Sequence, residues 1–381
     1  MIAYVAFQAS IALCALMPSR AGLRNLAFGT AFLLFVGLRY EVGFDWPIYK
    51  DQFSHLTQIE LGQLLANLND LSLLFGQEPG FVALVSLFSA FTPSYEVAQF
   101  CFCVLFLISI GMLAQTIGCR NVPAAMFLVC LFLLTTLIFS TARQLVALSI
   151  FNIALSFYLR DRRTLAYALA GASMLFHSST AIYALCAFLP QRAVRRFFPI
   201  VVVVGLAASA LFLVMGHDMF LLLPLPALLK AKLEYYFLYR VVQVNPLEQM
   251  FSLGMLGLLL HLGYRNTDHA SPEIANVSRM LVLLCLVSLA FFAITVVRNR
   301  LFYEAVILAA LLVTTPGIAG ARLASLGILG AGLLFFLVTM TKATSFMFVP
   351  YRNVVLLELG IGQDDGYERQ LRLDALIAAR M

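Results

Sequence analysis

The chain reads as an all-α, polytopic integral membrane protein with about 11–13 transmembrane helices, each near the ~20 residues that a helix needs to cross a bilayer core. Three observations predict this class. Of the 381 residues, 62% are hydrophobic and only 12% charged, and the mean hydropathy is +0.93, which leaves too little polar surface to clothe a water-soluble globule of this size. The apolar residues fall into long runs, and those runs lack the two-residue alternation of an outer-membrane barrel.

The run Met1–Met17 has no basic residue before it, while Arg20 and Arg24 follow it. A cleaved signal peptide shows the opposite order, so this run is expected to be the first span, with its N-terminus outside. Further spans are expected near 22–38, 78–93, 95–117, 122–139, 141–159, 164–190, 197–216, 247–264, 277–297, 299–319 and 322–342. The whole of 1–381 is read as one transmembrane domain carrying polar insertions at 39–77 and 217–246 and an amphipathic tail at 351–381.

The first insertion, through Glu78, sets Arg39 and Lys50 against Glu41, Asp45, Asp51, Glu60, Asp70 and Glu78, so charge bias places it outside. The second contains Pro224, Pro226 and the aromatic run 234–240, the pattern of an interfacial helix. Arginine clusters at 160–163 and 192–196 flank the run 164–190, and a single span would strand one of them outside. A helix broken at His177-Ser178-Ser179-Thr180 would reconcile them, but the unbroken apolar run favours one tilted helix. In the tail, Tyr367, Leu371, Asp374 and Ile377, among Arg369, Arg372 and Arg380, predict an amphipathic surface helix without a catalytic role.

The cysteines lie mostly inside apolar runs without a CxxC pair, so neither a zinc site nor a disulfide framework is expected. The net charge of +6 is explained by arginines in short loops that set topology, and no nucleic-acid partner is expected. No GxxxxGK[ST], HExxH, GxSxG or DxD pattern occurs, so no metal or other cofactor is expected either.

Four groups of residues stand out against this apolar background, each with two readings. Arg39 and Asp45 follow the second span directly: Asp45 can cap a surface helix that holds Trp46, Pro47 and Tyr49, or Arg39 can clamp a phosphate while Asp45 acts as base or sugar ligand. Arg143-Gln144 opens a span, where a guanidinium can snorkel to headgroups or bind a pyrophosphate bidentately, with Gln144 beside it as a neutral donor. His177 lies within its apolar run, either as a satisfied core histidine or as a general base for a sugar hydroxyl. Arg298 and Arg300, with Tyr303 one turn on, mark a short loop's topology or a second cationic site.

In order, the stretches Gly37-Leu38-Arg39-Tyr40-Glu41-Val42-Gly43-Phe44-Asp45 with Tyr49, Glu78-Pro79-Gly80-Phe81, Arg143-Gln144, Leu175-Phe176-His177-Ser178-Ser179, Arg300 with Tyr303, and Val349-Pro350-Tyr351-Arg352 resemble the EpsG-like branch of the Wzy-type polysaccharide polymerases. The resemblance covers about 39–352, and it departs at Phe44, where the family pattern has Thr. It implies a GT-C-like multispan bundle in the bacterial inner membrane, with an outward-facing site that joins undecaprenyl-pyrophosphate-linked repeat units. The implied catalytic residues are His177, Asp45, Arg143 and Arg300. Arg143 and Arg300, with Arg39 third, would neutralise the departing pyrophosphate, and His177 or Asp45 would be the base. His177 is favoured because an imidazole's ordinary pKa lies near 6.5. The implied substrate-binding residues are Arg39, Tyr49, Glu78, Gln144, Arg298, Tyr303, Tyr351 and Arg352. Arg39, Asp45, Arg143, His177 and Arg300 are expected to converge on one cavity.

The expected partners are the lipid-linked glycan donor and acceptor, membrane lipid, a chain-length regulator and a flippase. Three rival functions share these features: a glycosyltransferase using a polyprenyl-phosphate sugar with Asp45 as base, an O-antigen ligase, and a lipid-linked oligosaccharide transporter.

Overall fold

The structure, a computed structural model, describes residues 1–18, 21–189, 196, 199–200, 202–207, 209–210, 246–292, 295–341, 345–348, 351–355 and 366–378. It is all-α and 80% helical, with no strand among the described residues. Residues 217–245 of the second insertion, with its aromatic run, and the arginines of 192–195 lie outside the described residues.

The apolar runs become α1 (Ile2–Leu16), α2 (Ala21–Phe32), α6 (Pro79–Phe91), α7 (Tyr95–Thr116), α8 (Val122–Leu133), α9 (Ala142–Leu159), α10 (Arg163–Met174), α11 (Thr180–Phe188), α12 (Pro246–Arg265), α13 (Pro272–Ala290), α14 (Thr295–Val313) and α15 (Ala321–Thr341). The first insertion folds as three short helices, α3 (Trp46–Leu56), α4 (Leu61–Ala66) and α5 (Leu68–Phe75), and the tail as α16 (Gly366–Ala378). Among the described residues, α7, α9, α13 and α15 are the helices that are by themselves long and apolar enough to span a bilayer. Elsewhere the apolar helices are shorter or carry more charge. α2 and α8 end in π-helical turns, Leu33–Gly37 and Leu134–Ile138, and α14 carries Arg298, Arg300 and Glu304.

The expected single helix over 164–190 is a correction: α10 ends at Met174 and α11 begins at Thr180. Gly80 explains the break. Its N–H donates to the carbonyl of Leu175 at 2.9 Å, and a Cβ on Gly80 would lie 2.7 Å from that same oxygen. A tertiary partner takes the carbonyl, and only glycine admits the approach.

The described chain divides into two compact units. In the first (1–178, 314–316 and 332–381), α9 packs between α7 and α10, while α1 packs on α2 and α8. Buried Ala147, Ser149, Ala154 and Ser156 on α9 keep the helices close, as small residues do where lipid supplies no hydrophobic drive for association. α7, about 33 Å long at 1.5 Å per residue, fixes the ends of this unit. At one end Arg160 donates from Nε to Thr116 at 3.0 Å, and Arg24 donates to the carbonyl of Arg120. At the other, Tyr95 meets Tyr49 and Phe53 of α3. The second unit (179–313 and 317–331) sets α13 against α11, α12 and α14.

Candidate functional site

The end of the first unit opposite Arg24 and Arg160 gathers the polar stretches. After the π turn of α2 the chain runs extended against the C-terminal segment: Tyr40 N–H donates to the Arg352 carbonyl at 3.1 Å and Val354 N–H to the Leu38 carbonyl at 2.8 Å. It then turns at Gly43, whose φ is +117 and whose added Cβ would lie 2.4 Å from the carbonyl oxygen of Phe139. The neighbouring Phe44 N–H donates to the hydroxyl of Ser140 at 3.3 Å. These contacts press the loop against residues 139–140, just before α9 begins.

Arg143 stands in the first turn of α9. Its Nη1 donates to Glu78 Oε2 at 3.0 Å and its Nε to the Tyr49 hydroxyl at 3.3 Å, with the two charged side chains 18% and 12% exposed. A cation in the first turn opposes the helix dipole, and Glu78, itself at the N-cap of α6, offsets that cost. Gln144 is fully buried beside it. His177 is half-buried just beyond α10, its N–H bonded to the Ser173 carbonyl at 3.2 Å. The Gly80–Leu175 bond ties the strand of chain before His177 to the first turn of α6, where Glu78 holds Arg143. Asp45 is the N-cap residue of α3 as expected, but its side chain makes no capping bond.

Arg39, expected as a phosphate clamp, lies inside the bundle. It is 2% exposed, donates from Nη1 to the Val36 carbonyl at 2.9 Å and to Cys103 Sγ at 3.6 Å, and lies 4.9 Å over the Phe139 ring. Its charge is turned into the bundle. Tyr351 likewise stacks on Phe35 at 4.1 Å with its hydroxyl on the Phe35 carbonyl, and Arg352 donates to Glu41 Oε2 at 2.9 Å. The sequence reading passed over Glu41 as a site residue, although it is the centre of this ion-pair cluster. Lys50 reaches Glu41 at 3.0 Å, the Tyr40 hydroxyl at 3.2 Å and Glu96 at 3.4 Å. Burial pulls the Lys50 pKa down, but the bonds to Glu41 and Tyr40 and the charge of Glu96 outweigh it, so the net shift is upward.

The tail helix does not lie apart on the surface. Arg369 is 3% exposed and donates to the Glu41 carbonyl at 2.8 Å, and Tyr367 donates to Asp51 at 3.1 Å while packing edge-on to Trp46.

In the second unit, Arg298 is 5% exposed with its guanidinium 4.7 Å over Phe292, and the Arg300 carbonyl accepts from the Tyr183 hydroxyl. Tyr303 is buried on the same helix. Glu304, which sequence reasoning missed, is fully buried one turn after Arg300, without a hydrogen-bond partner among the described residues. An acidic residue inside an apolar run was the available signal.

Comparison with curated proteins and with solved structures finds no match. The EpsG family model matches residues 25–353, which include the loop at 39–45, Glu78, Arg143, His177, Arg300 and Arg352. With most of its length matched, this multi-pass membrane chain belongs to the EpsG family, which is linked to exopolysaccharide synthesis.

Proposed function

We propose that the protein is a polymerase that joins undecaprenyl-pyrophosphate-linked repeat units at the outer face of the bacterial inner membrane. The observation that carries this reading is Arg143 in the first turn of α9, steadied by Glu78 and Tyr49. Helix N–H groups and a planar guanidinium at one helix start form a natural anion site. The opposite end of the unit carries Arg24, Arg120, Arg160, Arg162 and Arg163, the charge bias of a cytoplasmic face, which supports an outward site.

In the proposed step, the acceptor sugar hydroxyl attacks the anomeric carbon of the donor while its proton passes to His177. The bond from that carbon to the pyrophosphate oxygen breaks, and the electron pair leaves with the lipid pyrophosphate. The pyrophosphate competes with Glu78 for the Arg143 fork, so charge develops where a guanidinium already stands. Asp45 is the alternative base, and Arg300 is proposed, within the second unit, as a further cation for anionic substrate. Tyr49 keeps the fork in plane, Gln144 is the neutral hydrogen-bonding group proposed beside it, and Glu78 is its resting counter-ion rather than a sugar ligand. Arg39 supports the loop from within. Tyr351 and Arg352 fasten that loop to the C-terminal segment, and Arg298 and Tyr303 are assigned to the setting of Arg300.

The test is a gel of products from purified protein and purified lipid-linked repeat unit. A ladder of lengths supports the polymerase. Addition of one sugar from a polyprenyl-phosphate donor supports the single-transfer enzyme, and vectorial movement without product supports the transporter.

A further inference from the structure

Glu41 is held by more charge than a loop between two helices requires. Its φ is +51, a left-handed conformation that residues other than Gly, Asn and Asp rarely adopt. Its carboxylate, 6% exposed, accepts from Lys50 Nζ at 3.0 Å and Arg352 Nη1 at 2.9 Å, and its carbonyl accepts from Arg369 Nη2 at 2.8 Å. Three cations from three separate segments thus meet at one residue whose backbone is itself unusual. Buried ion pairs add little net stability, because desolvation cancels most of the attraction, but they specify geometry.

The geometry specified here leads to Arg143. Lys50 follows Tyr49 on α3, and the Tyr49 hydroxyl takes the Nε–H of Arg143 at 3.3 Å. A shift of Lys50 along its axis therefore moves Tyr49, and with it the plane of the guanidinium.

We infer that Glu41 is a positioning residue, locking α3 to the C-terminal segment and the tail helix α16 so that Tyr49 holds the Arg143 fork in register. This rests on the proposed polymerase reading. Glu41 touches no reacting atom; it acts through Lys50 and Tyr49. The tail is then part of the site's scaffold, through Arg369.

The experiment uses full-length purified protein in the polymerisation assay, with kcat and KM for the lipid-linked donor measured for wild type, Glu41→Gln, Glu41→Asp, Arg369→Gln and the double variant Glu41→Gln/Arg369→Gln. Glu41→Gln is expected to lower kcat by about tenfold with KM within about twofold, since small misplacements of a catalytic group cost rate. Glu41→Asp should recover most of that loss, Arg369→Gln should lower kcat in the same manner, and the double variant should fall little below Glu41→Gln. An unchanged kcat in an inserted, monodisperse Glu41→Gln protein overturns the inference, as does a rise in KM alone or losses that multiply in the double variant. If Glu41→Gln fails to insert, Arg369→Gln decides: an unchanged kcat there overturns it. A wild type that makes no ladder overturns the polymerase reading and the inference with it, whereas a wild-type ladder with a fully active Glu41→Gln overturns the inference alone.

Discussion

Arg143 and Glu78, 65 residues apart in sequence, meet at 3.0 Å with each at the start of its own helix. The acid suits its position, since a helix N-terminus favours negative charge; the arginine does not. A cation kept where its own helix disfavours it, beside N–H groups that attract anions, supports the proposed anion-binding role over one of stability alone. If the fork binds a pyrophosphate bidentately, Arg143→Lys keeps the charge but loses the planar donor pair. The expected polymerisation rate of Arg143→Lys is almost as low as that of Arg143→Ala, measured with equal amounts of inserted protein. A lysine variant near the wild-type rate would reduce Arg143 to a headgroup anchor.

Gly43 and Gly80 should each reject alanine. At Gly43 the new methyl meets the Phe139 carbonyl, and at φ +117 the backbone itself is strained for any L side chain. At Gly80 it meets the carbonyl of Leu175. Strain of this kind costs on the order of 1–3 kcal/mol. Both variants should melt earlier in detergent and lose polymer, whereas Gly111→Ala, which meets nothing within 4 Å, should behave as wild type. Wild-type melting of Gly43→Ala would mean that the loop does not pack as described.

Lys50 supplies a pH test with a definite sign. Its folded pKa is raised above the ordinary lysine value of 10.5, so the stability it contributes is fully present below that value and is lost as pH rises through the folded pKa. The deficit of a Lys50→Met variant in thermal melting should stay constant from pH 7 to about 10 and shrink only at higher pH, as the wild type loses its pair. A deficit that closes between pH 7 and 9 would place Lys50 outside the Glu41 cluster.

Much of this was legible in the residues themselves. Runs of apolar residues announced α7, α9, α13 and α15, and Asp45 before Trp46-Pro47 announced α3. The ordered motifs announced the family. What stayed hidden depends on contacts distant in sequence. The break between Met174 and Thr180 contains neither Gly nor Pro and is made by Gly80, a partner far back in the chain. The importance of Glu41 comes from Arg352 and Arg369, 311 and 328 residues away, which no local pattern reveals. Arg39 shows how little a sequence says of side-chain direction. A lone arginine at a span edge looks the same in sequence whether it faces substrate or, as here, the Val36 carbonyl and the Phe139 ring.

The helix break gives His177 a setting that a continuous helix would deny it. Between α10 and α11 the residue is half-buried, on the segment that Gly80 ties to the start of α6. A base there needs to accept one proton from the acceptor hydroxyl as the glycosidic bond forms. His177→Gln keeps size and hydrogen bonding but cannot take that proton, so the rate should drop by roughly 100-fold or more, the usual contribution of general-base catalysis. Donor binding should survive, because the pyrophosphate is assigned to arginine and not to imidazole. The measurement is single-turnover extension of a purified lipid-linked acceptor, with donor affinity determined separately in the same preparation. Asp45→Asn serves as the counterpart: if Asp45 is the base, it falls by that factor while His177→Gln remains active. Loss of donor affinity in His177→Gln would instead make the imidazole a ligand of the substrate and leave the proton to Asp45.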